Sequence, residues 1–336
     1  MNTEQLREYL IKAIPARMPI LIASQPGAGK TSVINQVGEF LGQDVIIDYP
    51  AMSDPTDYKG LPFGDSEHKI AGFLPLGNLA RIISAKHPTI YFMDELGQGS
   101  ESVQKAIMPI VGARTAGDYR ISDHVTIIAA TNRRTDRGAG VGGILEPLKQ
   151  RFFATITLEV QIEPWLRWAN ANHLPIELIA FCKMRPDLVT SAPVQQDLGL
   201  TSNPRTIEHL ARQMMLGVNP DVENEVYAST VGQGFADEFC GFLKIMRNLP
   251  DFDRIPQDPT GVRIPSPSDL GTSYALIALL PTRITLTSWS AYLAYIQRLN
   301  PDYQVCLRTL IENARTDLVP TIEYINWTKS LDNLVA

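Results

Sequence analysis

Three short groups of residues in this sequence could together handle a phosphate chain. The first is Ser24-Gln25-Pro26-Gly27-Ala28-Gly29-Lys30-Thr31-Ser32, two glycines leading to a lysine and two hydroxyls. Gly27 and Gly29 let the backbone curl until successive N–H groups point inward at phosphate oxygens. Lys30 would reach the β- and γ-phosphates, and the Thr31 hydroxyl would bind Mg²⁺. The usual first glycine of such a loop is Ser24 here, and serine is small enough for the loop to tolerate it. The second group is the acid pair Asp94-Glu95. Asp94 would hold the Mg²⁺ shell, and Glu95 would polarise a water for attack on the γ-phosphate. The third is Thr131-Asn132, whose amide is placed to contact the γ-phosphate or the attacking water.

These groups mean something only if strands and helices hold them correctly. The apolar run Met18 to Ala23 has the length and composition of a fully buried strand. After the loop, Val33, Ile34, Val37, Phe40 and Leu41 recur at helical spacing, with Gly42 where a C-cap glycine belongs. Strand, glycine-rich loop, helix is the order a phosphate-binding loop requires; the rival is a tight turn that merely contains Gly-Lys-Thr. The run Thr89 to Met93 is a second buried strand, ending at the acid pair. Carboxylates at the carboxyl end of a central strand sit where open α/β sheets bind ligands. The rival there is a solvated turn. Val125 to Ala130 predicts a strand ending at Asn132, and Asp44–Asp48 and Thr155–Val160 predict two more. Five buried strands separated by helices predict a parallel, doubly wound sheet.

Other segments connect or extend this core. Residues 51–73 form a loop-rich insert with turn signals at Asp54-Pro55 and Gly64-Asp65. Residues 114–121 predict a short hairpin around Gly117-Asp118. Arg133, Arg134 and Arg137 with Gly138, Gly140, Gly142 and Gly143 predict a mobile basic loop. From Glu163 the pattern is helical, and Asn203-Pro204-Arg205-Thr206 opens a helix whose core face is Ile207, Leu210, Ala211 and Met214. Arg205 then lies near its N-terminal end, away from the core, where an ordinary exposed arginine is the commoner reading. Pro250, Pro256, Pro259, Pro265 and Pro267 predict an extended linker. Helices follow near 267–280, with proline at the first position, 288–299 and 302–314, and a last one after Pro320. Their aromatics sit at core spacing.

Composition narrows the class. A chain of 336 residues suits one large or two modest domains, and 44% hydrophobic with 20% charged residues is ordinary for a soluble protein. The net charge of −6 argues against a broad non-specific nucleic-acid footprint. Cys182, Cys240 and Cys306 form no CxxC pair, which points to thiols in a reducing compartment and suggests no metal site. The N-terminal stretch (Leu6, Tyr9, Leu10, Ala13, Ile14) predicts an amphipathic helix bearing acids, unlike a secretory signal. No apolar run approaches membrane-spanning length, so a cytoplasmic protein without membrane partners is expected.

Taken in order, the loop at 24–31, Met93-Asp94-Glu95, the strand ending in Asn132, Arg151-Phe152 and Pro204-Arg205 resemble an AAA+ ATPase. The insert after the second strand and the hairpin at 114–121 make the chain similar to the MoxR branch. The resemblance covers roughly residues 10 to 215. It implies an α/β fold: a P-loop NTPase core (five-stranded parallel sheet, αβα sandwich) over 1–160 and an all-α lid over 161–248. A proline-rich linker and an extra C-terminal helical region over 249–336 would follow. By position it implies that Gln25 through Ser32 cradle ATP, with Lys30 and Thr31 as the Walker A lysine and magnesium ligand. Asp94 and Glu95 match the Walker B pair, with Asp94 on Mg²⁺ beside Thr31, and Asn132 matches sensor 1. Arg151 matches the finger that reaches a neighbouring subunit's γ-phosphate, with Arg133, Arg134 and Arg137 as alternatives, and Arg205 matches sensor 2. Arginine suits both roles because its planar fork meets phosphate charge bidentately. The family implies a homo-oligomeric ring, usually a hexamer, that remodels or assembles a protein client, often one with a von Willebrand factor A domain. A nucleic-acid machine of the same superfamily, gripping DNA through Arg114 and Arg120, is the second reading. An ATP-gated binding switch with little turnover is the third.

Overall fold

The computed structural model describes residues 1–65, 70–133, 143–190, 200–266 and 268–335. It contains five strands that pair side by side, all parallel: β1 (Ile20–Ser24), β2 (Asp44–Asp48), β5 (Thr89–Met93), β8 (Val125–Asn132) and β9 (Ala154–Leu158). Their order across the sheet is β2-β5-β8-β1-β9. Both faces of the central strands are covered, which is why β1, β5 and β8 read as nearly unbroken apolar runs, whereas the edge strand β9 alternates.

Alternate side chains of each strand go to opposite layers. Ile20, Ile22, Ile90, Phe92, Ile128 and Ala130 pack with α1 (Thr3–Ala13) and α2 (Lys30–Leu41) through Leu6, Leu10, Val33, Ile34 and Val37. Leu21, Tyr91, Met93, Ile127 and Ala129 pack on the other face with α4 (Gly77–Ser84) and α5 (Glu101–Gly112), through Leu79, Ile82, Val103, Ile107 and Ile110. The result is the αβα sandwich that the sequence predicts. The N-cap of α2 is Gly29, which supplies no side-chain cap. A glycine cap costs roughly a few tenths of a kcal/mol relative to a capping side chain. Each buried Val or Ile on the helix contributes roughly 1.5–3 kcal/mol, so packing holds the helix in place without the cap.

The segment after β2 holds more order than its loop-like sequence predicts. Asp54 and Asp57 form a capping box at the start of a short helix, α3 (Pro55–Lys59). An antiparallel hairpin follows, β3 (Leu61–Asp65) with β4 (Ile70–Leu74). Pro62, Gly64 and Gly72 lie inside these strands, residue types depleted in sheets, which is why the pattern hides them. Leu61, Phe63, Phe73 and Leu74 of this hairpin are exposed. The hairpin predicted at 114–121 is present, with β6 (Thr115–Ala116) pairing β7 (Tyr119–Arg120) across a turn where Gly117 has φ +57°.

The basic loop at 134–142 lies outside the described residues. Short α6 (Glu146–Lys149) precedes β9. The region after β9 is helical, with α7 (Ile162–Ala171), α8 (Ile176–Met184), α9 (Asp187–Thr190), α10 (Pro204–Leu216) and α11 (Glu223–Val231). By internal contacts the chain divides into two units, Met1–Asp237 and Glu238–Ala336, the division falling within α12 (Gln233–Asn248).

The second unit contains α13 (Leu270–Arg283), α14 (Trp289–Ile296), α15 (Pro301–Ala314) and α16 (Ile322–Val335) around a core that includes Trp289, Tyr295 and Trp327. Its proline-rich stretch differs from the predicted extended linker. Ile255 and Val262 are buried in that core. Tyr292 and Tyr295 donate their phenol protons to the carbonyls of Phe252 and Arg263, both at 3.0 Å, and Arg298 donates to that of Val262 at 2.9 Å. The prolines shape a strap that downstream side chains hold down. The first helix also starts later than predicted. Its cap is Asp269, which accepts the Thr272 N–H, and Pro267 lies outside the described residues. Among the described residues no helix is long and apolar enough to cross a membrane.

Candidate functional site

Parallel pairing brings the predicted residues together. In the register of β1 against β8, Ser24 lies opposite Asn132, so two polar side chains finish neighbouring central strands at the same edge. The loop after Ser24 turns through Gly27 (φ +72°) and Gly29 (φ +87°), left-handed conformations that favour glycine. α2 then begins at Lys30 without a side-chain cap, and the N-terminal end of a helix is where backbone N–H groups point at an anion.

Lys30 is buried, with its ammonium folded back over the strand tips. It donates to Ser24 Oγ and to Asn132 Oδ1, both at 2.9 Å. Ser24, fully buried, passes its own proton to the carbonyl of Gln25 at 2.7 Å. The residue expected merely to be tolerated therefore orients the lysine. Sequence reasoning missed this role because it depends on the side chain of the residue at the strand end, where a glycine has none.

Thr31 donates from Oγ1 to Asp94 Oδ2 at 2.7 Å, and the other carboxylate oxygen accepts the Glu95 N–H at 2.9 Å. A hydroxyl and a carboxylate side by side suit Mg²⁺, which takes hard oxygen ligands and keeps most of its shell for water and substrate phosphates. Among the described residues no group of three or more His, Cys, Asp or Glu side chains could hold a metal alone. The donor set thus fits an ion that arrives with a phosphorylated substrate. Glu95 is half-buried and left-handed (φ +55°, ψ +33°), so the chain turns sharply after Asp94. That conformation costs a non-glycine residue about 1–2 kcal/mol. A backbone held there at a strand end is the kind of strain that gathers at functional sites.

A cleft opens from this loop, lined by Gly27, Gly29, Thr31, Ser32, Trp168 and Arg205, among others. Arg205 sits in the first turn of α10 and is exposed, so the structure places it beside the loop. The cap of that helix, Asn203, accepts the N–H groups of Arg205 and Thr206 at 3.0 and 3.2 Å. Its Oδ1 lies only 2.3 Å from where a Cβ on Gly27 would stand. Gly27 is therefore needed for two reasons, its positive φ and the close approach of α10. Trp165 and Trp168 of α7 wall the cleft on another side. Their spacing fits one helix face, but nothing in the local pattern ties that face to a distant loop.

Arg151 is not among the cleft-lining residues. It is exposed, its stem packs beside Gly112 at the end of α5, and its guanidinium donates to the carbonyl of Pro147. Arg133 is half-buried, and its backbone N–H donates to the Ser24 carbonyl at 3.1 Å. Arg134 and Arg137 lie outside the described residues. Gln25, Pro26 and Lys30 belong to the loop but do not line the cleft, Pro26 being exposed, and neither do Asp94, Glu95 and Asn132. Arg114 is turned inward. One guanidinium nitrogen donates to the carbonyls of Ser122 and Val125 at 2.6 and 2.9 Å, and burial lowers its pKa.

No family model matches the chain, and none of the curated proteins matches it. Among solved structures it is similar to the RuvB Holliday junction branch migration motor of Thermotoga maritima. The two are 17% identical over 77% of this chain and 75% of that one, with a TM-score of 0.44. A single-residue variant of the same motor is 18% identical over 88% and 86%, also at 0.44. NtrX from Brucella abortus, in complex with ADP, is 16% identical over 98% of this chain and 68% of that one, with a TM-score of 0.41.

Proposed function

We propose that this chain is an AAA+ ATPase of MoxR type, a ring-forming hydrolase of Mg-ATP that remodels or assembles a protein partner. One observation carries the ATPase reading: Ser24, Lys30, Thr31, Asp94 and Asn132, from three strand ends and a helix start, converge in hydrogen-bonded contacts. In use, Lys30 exchanges its Ser24 and Asn132 acceptors for oxygens of the β- and γ-phosphates. Mg²⁺, held through Thr31 and Asp94, would neutralise charge on those phosphates. Glu95 takes a proton from a water whose oxygen attacks the γ-phosphorus, while the bond to the β–γ bridging oxygen breaks. ADP and inorganic phosphate leave. Asn132 orients the water or the γ-phosphate, and Arg205 closes over the phosphates from α10.

Titration calorimetry of wild type and Lys30→Ala with Mg-ATP tests this. The variant should bind at least about tenfold more weakly, as expected for the loss of one charge-assisted contact worth about 1.5–3 kcal/mol. Unchanged affinity would remove Lys30 from the site.

The partner is a protein in our reading, and the residues once candidates for gripping DNA support that choice. Arg114 is committed to two backbone carbonyls, and Arg120 lies 3.6 Å from Asp123. The exposed apolar side chains of β3 and β4 suit a protein surface better than a phosphate backbone. ATP turnover measured with single- and double-stranded DNA, and beside them with co-purifying proteins, separates the two readings. Protein stimulation should vanish in Phe63→Ala or Tyr119→Ala while the basal rate stays. Stimulation by DNA that survives moderate salt, with none from any protein, would favour the loader or translocase type of machine instead.

A further inference from the structure

The second unit holds a cavity of about 330 Å³, lined by the proline-rich strap, the first half of α13 and the segment after α14. Close-packed interiors leave few voids larger than a water, whereas small-molecule sites begin at about 300 Å³. Ile264 and Pro265 of the strap and Leu276 and Ile277 of α13 give the cavity apolar walls. Exposed Ser266 and Asn300 line it as well, so it opens to solvent.

Two polar side chains in this lining have hydrogen-bonding capacity that the fold leaves unused. Ser273 occupies a core position of α13, in the helical series 273, 276, 277 and 280, where the other three residues are leucine or isoleucine. It is 3% exposed, and its hydroxyl makes no hydrogen bond among the described residues. A buried hydroxyl without a partner costs stability, so the helix alone would be better served by an apolar residue. Arg298 is half-buried. Its Nη1 donates to the carbonyls of Pro259 and Val262, and the guanidinium lies over the Tyr295 ring at 5.6 Å. Among the described residues Nε and Nη2 make no hydrogen bond, and no carboxylate pairs with the charge. No acidic side chain lines the cavity.

A guanidinium and a spare hydroxyl in an apolar chamber without acids are the donors an anion needs. One cation suits one negative charge, which favours a carboxylate over a phosphate dianion. The apolar walls suit a hydrocarbon body. The chamber is also built in advance. Arg298 and Tyr295 pin the strap, and Tyr303, another lining residue, is braced edge-on by Tyr274 at 5.8 Å between ring centroids.

We propose that this cavity is a second ligand site, for a small carboxylic acid with an apolar body, bound as its carboxylate at Arg298 and Ser273. It shares no residue with the nucleotide site and does not depend on that reading.

The test is saturation-transfer NMR on the full chain with hexanoate, and with hexanamide as the uncharged probe of the same shape. Hexanoate should bind with a Kd of about 1 mM or tighter, a modest affinity in keeping with so small a ligand. Hexanamide should bind at least about tenfold more weakly, and Arg298→Met should weaken hexanoate by as much. Because Arg298 also pins the strap, Ser273→Ala is the cleaner variant. It should weaken hexanoate at least about threefold while the melting temperature of the free protein stays level or rises, since an unpartnered hydroxyl is lost. A structural serine would give the reverse, a lower melting temperature with unchanged binding, and overturn the assignment. Arg205→Ala should bind hexanoate within about twofold of wild type, as expected for an independent site. Loss of binding in Arg205→Ala would put the probe in the other cleft and overturn the proposal. Equal binding of the two probes, or no saturable binding of hexanoate up to about 10 mM, overturns it as well.

Discussion

Glu95→Gln should bind Mg-ATP within about twofold of wild type and hydrolyse it about 10²–10⁴ times more slowly, the usual contribution of a positioned general base. The variant keeps the shape of the side chain and removes its ability to take a proton. Nothing that cradles phosphates changes: Lys30 still reaches Ser24 and Asn132, and Thr31 still meets Asp94. The contact from position 95 to Asp94 is made by its backbone N–H, which glutamine supplies equally well. Calorimetry and phosphate release on one preparation separate the two effects. Turnover retained within tenfold would mean another group activates the water, while lost binding would place Glu95 in the cradle instead of the chemistry.

The second large effect concerns Arg151, an exposed residue whose guanidinium donates to the Pro147 carbonyl. If that side chain completes a neighbour's site, Arg151→Ala should cut turnover by about 10³–10⁵, the range for arginine fingers. ATP affinity and melting temperature should stay near wild type. The stem packs beside Gly112, and truncating an exposed side chain there removes little buried surface. Mixing with Lys30→Ala sharpens the test. Each variant lacks a different half of a shared site, so co-assembled mixtures should recover activity at interfaces that pair an intact loop with an intact finger. No recovery in mixtures shown to co-assemble would move the finger elsewhere, to Arg133 first among the described residues.

The parts of the site legible in the sequence are those whose signal is local. Met18 to Ala23, the glycine loop and the amphipathic face of α2 announce one another within a single stretch. The unbroken apolar runs of β5 and β8 likewise announce buried strands with polar ends. What stayed hidden depends on pairings between distant positions. Ser24 becomes the lysine's partner because its side chain shares the tip of β1 and β8 with Asn132. Asn203 meets Gly27 only after α10 has docked. Arg114 looked like a free cation until folding turned it onto two carbonyls. The β3–β4 hairpin was hidden for another reason: its glycines and proline suppress the β signal, and pairing across the hairpin supplies what propensity does not.

The left-handed backbone at Glu95 also bears on how this chain would fare under selection for stability alone. At φ +55° a glycine would relieve about 1–2 kcal/mol of strain, offset by about 0.4–1 kcal/mol of entropy that glycine adds to the unfolded chain. Selection for heat tolerance without selection for turnover would therefore drift toward glycine at this position and discard the carboxylate. If the proposed roles hold, the resulting protein would still grip phosphates through Lys30 but would no longer break the bond. On the proposed reading, catalysis and robustness compete here for one residue, and a chain that keeps glutamate keeps a small, permanent instability beside Asp94.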